Sequence, residues 1–181
     1  KKIIYKKTKC KYLYVSRNFK FGFKRQGNIK TLKKFEKAFN YKNIVTKPYK
    51  NQKNIVSSTF IRKKIRSGKI EIVNKLLDRC WCVEGKVIRG ERRGRKIGFP
   101  TCNVNLNSYV IPKLGVYAVK VKVGGLKKNG ISNIGYRPTF NGKSLILETN
   151  IFGFNKNLYN KVISINFKKF IRKEKKFKNF E

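Results

Sequence analysis

Thr101 and Asn103 stand one residue apart, just after a run of glycines and arginines, and this is where the chain is best equipped for chemistry. The stretch from Gly85 to Asn103 reads GKVIRGERRGRKIGFPTCN. Gly85, Gly90, Gly94 and Gly98 let backbone N–H groups come close to a phosphate, and Arg95 adds charge-assisted donors. Thr101 and Asn103 then offer two neutral oxygen ligands, a set that suits a hard cation such as Mg²⁺. The run lacks the G-x-x-x-x-G-K-[ST] order of a Walker loop. Read on its own, such a run is more often a solvated basic hairpin, closed here by a Pro-initiated turn.

Glu148 is the second candidate. The chain has only eight acidic residues, and this one lies in mid-strand among apolar neighbours. It could orient a hydroxyl and accept its proton, or it could be an exposed strand carboxylate paired with a lysine. Two further groups carry anion chemistry. Ser57, Ser58 and Thr59 precede a helical run containing Arg62, which makes a phosphate cradle or an ordinary helix cap. Arg172 and Glu174 lie in the lysine-rich C-terminal stretch, as ligand contacts or as a surface ion pair.

Phosphoryl transfer to an alcohol needs donors and a metal around the triphosphate, an orienter for the hydroxyl, and a pocket holding the acceptor in line. The residues above supply candidates for each. GRKIGFPTCN resembles the GR-x-(L/I)-GFPTAN signature of riboflavin kinases, with Cys102 in place of alanine. Further segments resemble that family in the same order: Gly115-Val-Tyr-Ala118, Ser132-Asn-Ile-Gly-Tyr-Arg-Pro-Thr-Phe140, Leu147-Glu-Thr-Asn-Ile-Phe152, Asn157-Leu-Tyr-Asn160 and Phe170-Ile-Arg-Lys-Glu174. The first half is similar to the later part of an FMN adenylyltransferase (FAD synthetase) domain: Val56-Ser-Ser-Thr-Phe-Ile-Arg62 resembles SST-x-(I/V)-R, and Asn18-Phe-Lys-Phe-Gly22 resembles DFRFG.

The resemblance implies a bifunctional bacterial riboflavin kinase/FMN adenylyltransferase. It assigns ATP phosphates to the glycine loop, Mg²⁺ and ATP to Thr101 and Asn103, catalysis to Glu148, flavin contacts to Arg172 and Glu174, and a nucleotide to Ser57, Ser58, Thr59 and Arg62. Riboflavin and ATP are the implied substrates and FMN the product. The sequence departs from the family at Ser16, Asn18, Asn150, Asn157 and Asn160, and it has no histidine. It also has no methionine, which reads as a segment of a longer protein without the start of the adenylyltransferase domain and without the C-terminal helix of the kinase. The alternatives are a basic nucleic-acid-binding protein on a kept kinase fold, or an inactive, decayed paralogue.

The composition bears on that choice. There are 47 basic and 8 acidic residues, a formal charge of +39. Such a charge attracts polyanions. Yet the basic residues are 36 Lys and 11 Arg, beside 19 Asn and only 2 Ala, and the lysines run along the whole chain. Selection for nucleic acid would favour the Arg fork. The pattern reads instead as A/T-rich coding, with no specific nucleic-acid partner. No run approaches a membrane span, so the expectation is a cytoplasmic protein with reduced cysteines and no membrane association.

The elements that must position these groups fall into two styles. Residues 11–15 and 43–46 read as short strands, Asn28 caps a helix with Ile29, Leu32, Phe35 and Phe39 on one face, and two further helices run to Gly68 and through Ile70, Val73, Leu76 and Leu77. From residue 80 the period becomes two: Tyr117, Val119, Val121 and Val123 share a face, as do Leu145, Leu147, Thr149 and Ile151, leaving Glu148 on the other side. Gly124-Gly125 and Asn129-Gly130 read as bracketing a turn-rich connection. The expected fold is therefore a partial α/β nucleotidyltransferase (Rossmann-like) domain over residues 1–79, followed by a small antiparallel Greek-key β-barrel over 80–181.

Overall fold

The computed structural model describes residues 7–51, 54–90, 98–106, 108–139 and 142–175. The chain divides into two compact units, residues 1–56 and 57–181.

In the first unit, β1 (Tyr12–Ser16) and β2 (Lys42–Thr46) pair in parallel, from Tyr12 with Lys42 to Ser16 with Thr46. Parallel neighbours need a crossover, and α1 (Ile29–Lys34) lies on it. Asn28 caps this helix, its side chain accepting from Thr31 N at 3.2 Å. Leu32 is buried, but Phe35 lies beyond the helix end and is exposed, so the apolar face is shorter than its spacing implies. A short pair, β3 (Lys50–Asn51) and β4 (Asn54–Ile55), completes the unit.

The second unit opens with α2 (Ser58–Arg66), capped by Ser57 Oγ accepting from Phe60 N at 3.2 Å. It stops before Gly68, whose φ of +75° suits glycine. After α3 (Ile70–Leu77) come six strands: β5 (Cys82–Lys86), β6 (Thr101–Asn105), β7 (Gly115–Val123), β8 (Leu126–Thr139), β9 (Gly142–Ile151) and β10 (Val162–Arg172). Their spatial order is β5-β10-β7-β8-β9-β6, with every pairing antiparallel. An Ile88–Asn103 bridge brings the two ends of this sheet together, which makes it a nearly closed barrel.

One face of each strand fills the barrel. Val83, Val104, Tyr117, Val119, Val121, Ile134, Leu147, Ile163, Ile165 and Phe167 are all buried there, as the period-two reading requires. Phe167 anchors the aromatic part, tilted against Trp81 at 4.8 Å and edge-on to Tyr117 at 5.2 Å. Burial of side chains of this size contributes about 1.5–3 kcal/mol each.

One feature differs from the sequence reading. Asn129-Gly130 is not a turn: the β7–β8 hairpin turns at Gly124-Gly125, and β8 runs straight through Gly130. Glycine is needed there for close approach, since a Cβ would lie 2.4 Å from the Asn150 carbonyl oxygen. The two helices before the strands pack within the second unit. Ile65, Ile70 and Val73 of α2 and α3 join the barrel's own core, and Asn74 fastens α3 to it, donating to Phe167 O at 2.9 Å and accepting from Trp81 N at 2.7 Å.

Candidate functional site

The register of three strands assembles the site. Across β6 and β9, Thr101 pairs with Asn150 and Asn103 with Glu148; across β9 and β8, Glu148 pairs with Asn133. Residues paired in this way share a face of the sheet. Their strand neighbours Cys102, Val104, Leu147, Thr149, Ser132 and Ile134 occupy the core face. The polar set therefore lies together on the face turned away from the core.

Within it, Thr101 Oγ1 donates to Glu148 Oε1 at 2.7 Å. A hydroxyl has one hydrogen and two lone pairs, so this bond uses its donor and leaves lone pairs for a ligand. Asn103 is 4% exposed, and its Oδ1 is buried without a hydrogen-bond partner among the described residues. Such an orphan costs about 1–3 kcal/mol, a cost that a bound cation or donor removes. Asn133 Oδ1 is a second orphan, while Asn133 Nδ2 donates to Glu174 Oε1 at 2.8 Å. Asn150 Nδ2 donates to Pro100 O at 2.8 Å and so fixes the turn that delivers Thr101.

A cavity of about 540 Å³ adjoins Thr101. It is walled by Val87, Ile151, Phe154, Leu158 and Tyr159, with Arg89, Gly98 and Asn157 adding polar and backbone groups. That size and mixture suit a nucleotide-sized molecule. The Arg89 guanidinium sits 5.8 Å from the Tyr159 ring centre. The loop below keeps its turn despite its two asparagines: Asn157 Oδ1 accepts from Tyr159 N at 2.9 Å, and Asn160 adopts φ +66°.

The remaining sequence candidates are spread more widely. Gly98 is exposed at φ +79° on the cavity wall. Gly90 is half-buried in the segment after β5, and Gly94 and Arg95 lie outside the described residues. Gly85 sits inside β5, where a Cβ would lie 2.3 Å from the Val104 side chain, so its smallness serves barrel closure. Ser57 caps α2, with Ser58, Thr59 and Arg62 exposed in the first turns of that helix, apart from the strands that carry Glu148. Arg172 and Glu174 are both exposed; the first donates to Lys173 O and the second accepts from Asn133. Among the described residues, no cluster of three His, Cys, Asp or Glu could hold a metal.

Cysteine chemistry is separate from this cluster. All four cysteines are free and only Cys102 is fully buried. Its thiol points to Thr149 O at 3.4 Å, and burial pushes its pKa up to about 12. It is a packing group with the Ser132–Thr149 hydroxyl pair beside it, which is bonded at 2.7 Å. Sequence reasoning missed Asn133, and it gave Asn150 no structural task. Asn133 was visible inside Ser132-Asn-Ile-Gly135, but only the strand register places it beside Glu148.

A small antiparallel barrel with a cluster of side-chain oxygens beside a cavity of this size has the groups that a hard cation and a small-molecule ligand need. The riboflavin kinase family model matches residues 77–181, and the FAD synthetase model matches residues 1–60. The chain belongs to the riboflavin kinase family. Relatives named bifunctional riboflavin kinase/FMN adenylyltransferase include that of Haemophilus influenzae, 38% identical over 94% of this chain and 56% of its own. That of Bacillus subtilis is 48% identical over 67% of this chain and 40% of its own. The chain thus spans about half the length of the curated relatives it matches. A crystal structure titled macrolide-efflux protein, from Streptococcus pneumoniae, shares the fold with a TM-score of 0.78 at 31% identity, over 91% of this chain and 53% of that one. No helix among the described residues is long and apolar enough to cross a membrane.

Proposed function

We propose that the chain transfers the γ-phosphoryl group of ATP to the ribityl 5′-hydroxyl of riboflavin, giving FMN and ADP. The observation that carries this reading is Glu148, held by Thr101 at 2.7 Å and paired across the ladder with Asn103, whose Oδ1 is buried and has no hydrogen-bond partner among the described residues. Glu148 accepts a hydrogen bond from the acceptor hydroxyl and aims its oxygen at the phosphorus. As the O–P bond forms and the bond to the ADP leaving oxygen breaks, the hydroxyl proton passes to the Glu148 carboxylate. A carboxylate is a weak base for an alcohol, so orientation is its larger contribution.

Mg²⁺ fits the residues present. The orphaned Asn103 Oδ1 and the Thr101 lone pairs are neutral oxygens of the kind a hard cation prefers, and they would hold it. When bound, the ion neutralises triphosphate charge. The cavity beside Thr101 takes the nucleotide, with Gly98 on its wall, and Gly90, Gly94 and Arg95 are the further residues proposed for its phosphates. Residues 80–181 then form the kinase and residues 1–79 the adenylyltransferase portion, with adenylylation of FMN a task of the whole protein. Ser57, Ser58, Thr59 and Arg62 are proposed for the nucleotide of that second reaction. The setting proposed is the cytoplasm, with no nucleic-acid or membrane partner.

The test is to incubate the purified chain with riboflavin and Mg-ATP and to separate the flavins by chromatography. FMN is the expected product. A folded chain that leaves riboflavin unchanged overturns the reading.

A further inference from the structure

Asn133 is the member of the polar cluster that phosphoryl transfer leaves without a task. It pairs with Glu148 on one side and with Val116 on the other, and Val116 pairs with Arg172. Asn103, Glu148, Asn133, Val116 and Arg172 therefore form one row across five strands. Neighbouring strands are about 4.8 Å apart, so two buried asparagine oxygens stand about one strand to either side of Glu148.

The two oxygens face different parts of the reaction. Asn103 shares β6 with Thr101, the member of the cluster that lines the cavity, and so stands on the cavity's side of Glu148, where the kinase reading puts the phosphates. The reacting hydroxyl sits at Glu148. The rest of a polyol acceptor must leave in the other direction, past Asn133 and towards the apolar Val116. A vicinal hydroxyl of that polyol then falls within reach of the Asn133 oxygen.

The amide is held in the orientation this needs. An ionised carboxylate only accepts hydrogen bonds, so Glu174 must face Asn133 Nδ2, and Oδ1 is left for a donor. Gly135 makes room for that arrangement, because a Cβ there would lie 2.1 Å from Glu174 Oε1.

We propose that Asn133 determines acceptor specificity: its Oδ1 accepts a hydrogen bond from the ribityl hydroxyl next to the one phosphorylated, and Glu174, seated over Gly135, positions the amide. This rests on the riboflavin kinase reading. The test titrates the chain with riboflavin and with 4′-deoxyriboflavin, following flavin fluorescence, for wild type and Asn133→Ala. FMN formation is measured in parallel and thermal melting checks the fold. Asn133→Ala should bind riboflavin about tenfold more weakly, the value of one hydrogen bond, with KM for Mg-ATP unchanged. With 4′-deoxyriboflavin the two proteins should bind alike. Gly135→Ala, which displaces Glu174, should reproduce the loss for riboflavin alone.

Equal riboflavin affinity in wild type and Asn133→Ala overturns the proposal, and so does an equal loss for both ligands, which marks a merely structural residue. If wild type makes FMN while either result is seen, the acceptor proposal alone falls. Wild type that neither binds riboflavin nor makes FMN removes both readings. The discriminating binding pattern without FMN keeps Asn133 and removes the kinase reading.

Discussion

Thr101 gives its only hydroxyl hydrogen to Glu148, at 2.7 Å across the β6–β9 ladder. The bond fixes the carboxylate on one strand to the proposed metal ligand on the next. Glu148→Gln keeps the size and removes the proton acceptor. It should lower kcat by about a hundredfold, the low end of a general base's worth because the amide oxygen can still orient the hydroxyl, with little change in melting temperature. Steady-state FMN formation checks this; unchanged turnover in a folded variant removes Glu148 from the mechanism.

Asn103 separates activity from stability. Its buried Oδ1 has no hydrogen-bond partner among the described residues, so folding bears its desolvation without return. Asn103→Leu should therefore be as stable as wild type, or more stable by about 1 kcal/mol, while losing FMN formation at every Mg²⁺ concentration. Denaturant unfolding and an activity titration with Mg²⁺ check both halves. An active leucine variant excludes Asn103 as a ligand.

Cys102 sets an alkaline limit. Burial holds its thiol neutral up to about 12, against 9.0 for an unperturbed group. Below pH 9 both folded and unfolded chains carry it protonated, and its full stability contribution is present. As pH rises from 9 towards 12 only the unfolded chain ionises, so stability falls by about 1.4 kcal/mol per pH unit from this group. Native protein at pH 8.5 should leave Cys102 unmodified by iodoacetamide, whereas unfolded protein reacts. Cys102→Ala should flatten the alkaline decline.

Gly130 tests the correction to the hairpin. With a Cβ 2.4 Å from the Asn150 carbonyl oxygen, Gly130→Ala must push β8 away from β9. It should destabilise by about 2 kcal/mol, in the range of overpacked cores, as measured by urea unfolding. A turn glycine at the same position would tolerate alanine far better.

That contrast shows what the sequence makes legible. Period-two alternation placed Tyr117, Val119, Val121, Leu147, Thr149 and Ile151 inward and Glu148 outward, because parity along one strand is a local property. The caps at Asn28 and Ser57 were local as well. Asn129-Gly130 misled because a turn-forming pair and a close strand crossing use the same glycine. The Asn133–Glu148 pairing and the Asn133–Glu174 bond depend on which strands become neighbours, the last two lying 41 positions apart. The helices α2 and α3 follow the adenylyltransferase-like segment in sequence, yet their apolar stripes fit the barrel, and nothing in a stripe names the surface it will meet.

The barrel's two faces also set how this protein can change. Its outward row carries the proposed chemistry and its inward row the cohesion, so inserting or deleting one residue within β9 would send the Glu148 carboxylate inside and bring Leu147 or Thr149 out. Drift by substitution can load the outer positions with lysine and asparagine one site at a time, leaving the barrel standing. A change in strand length would cost structure and catalysis in a single event.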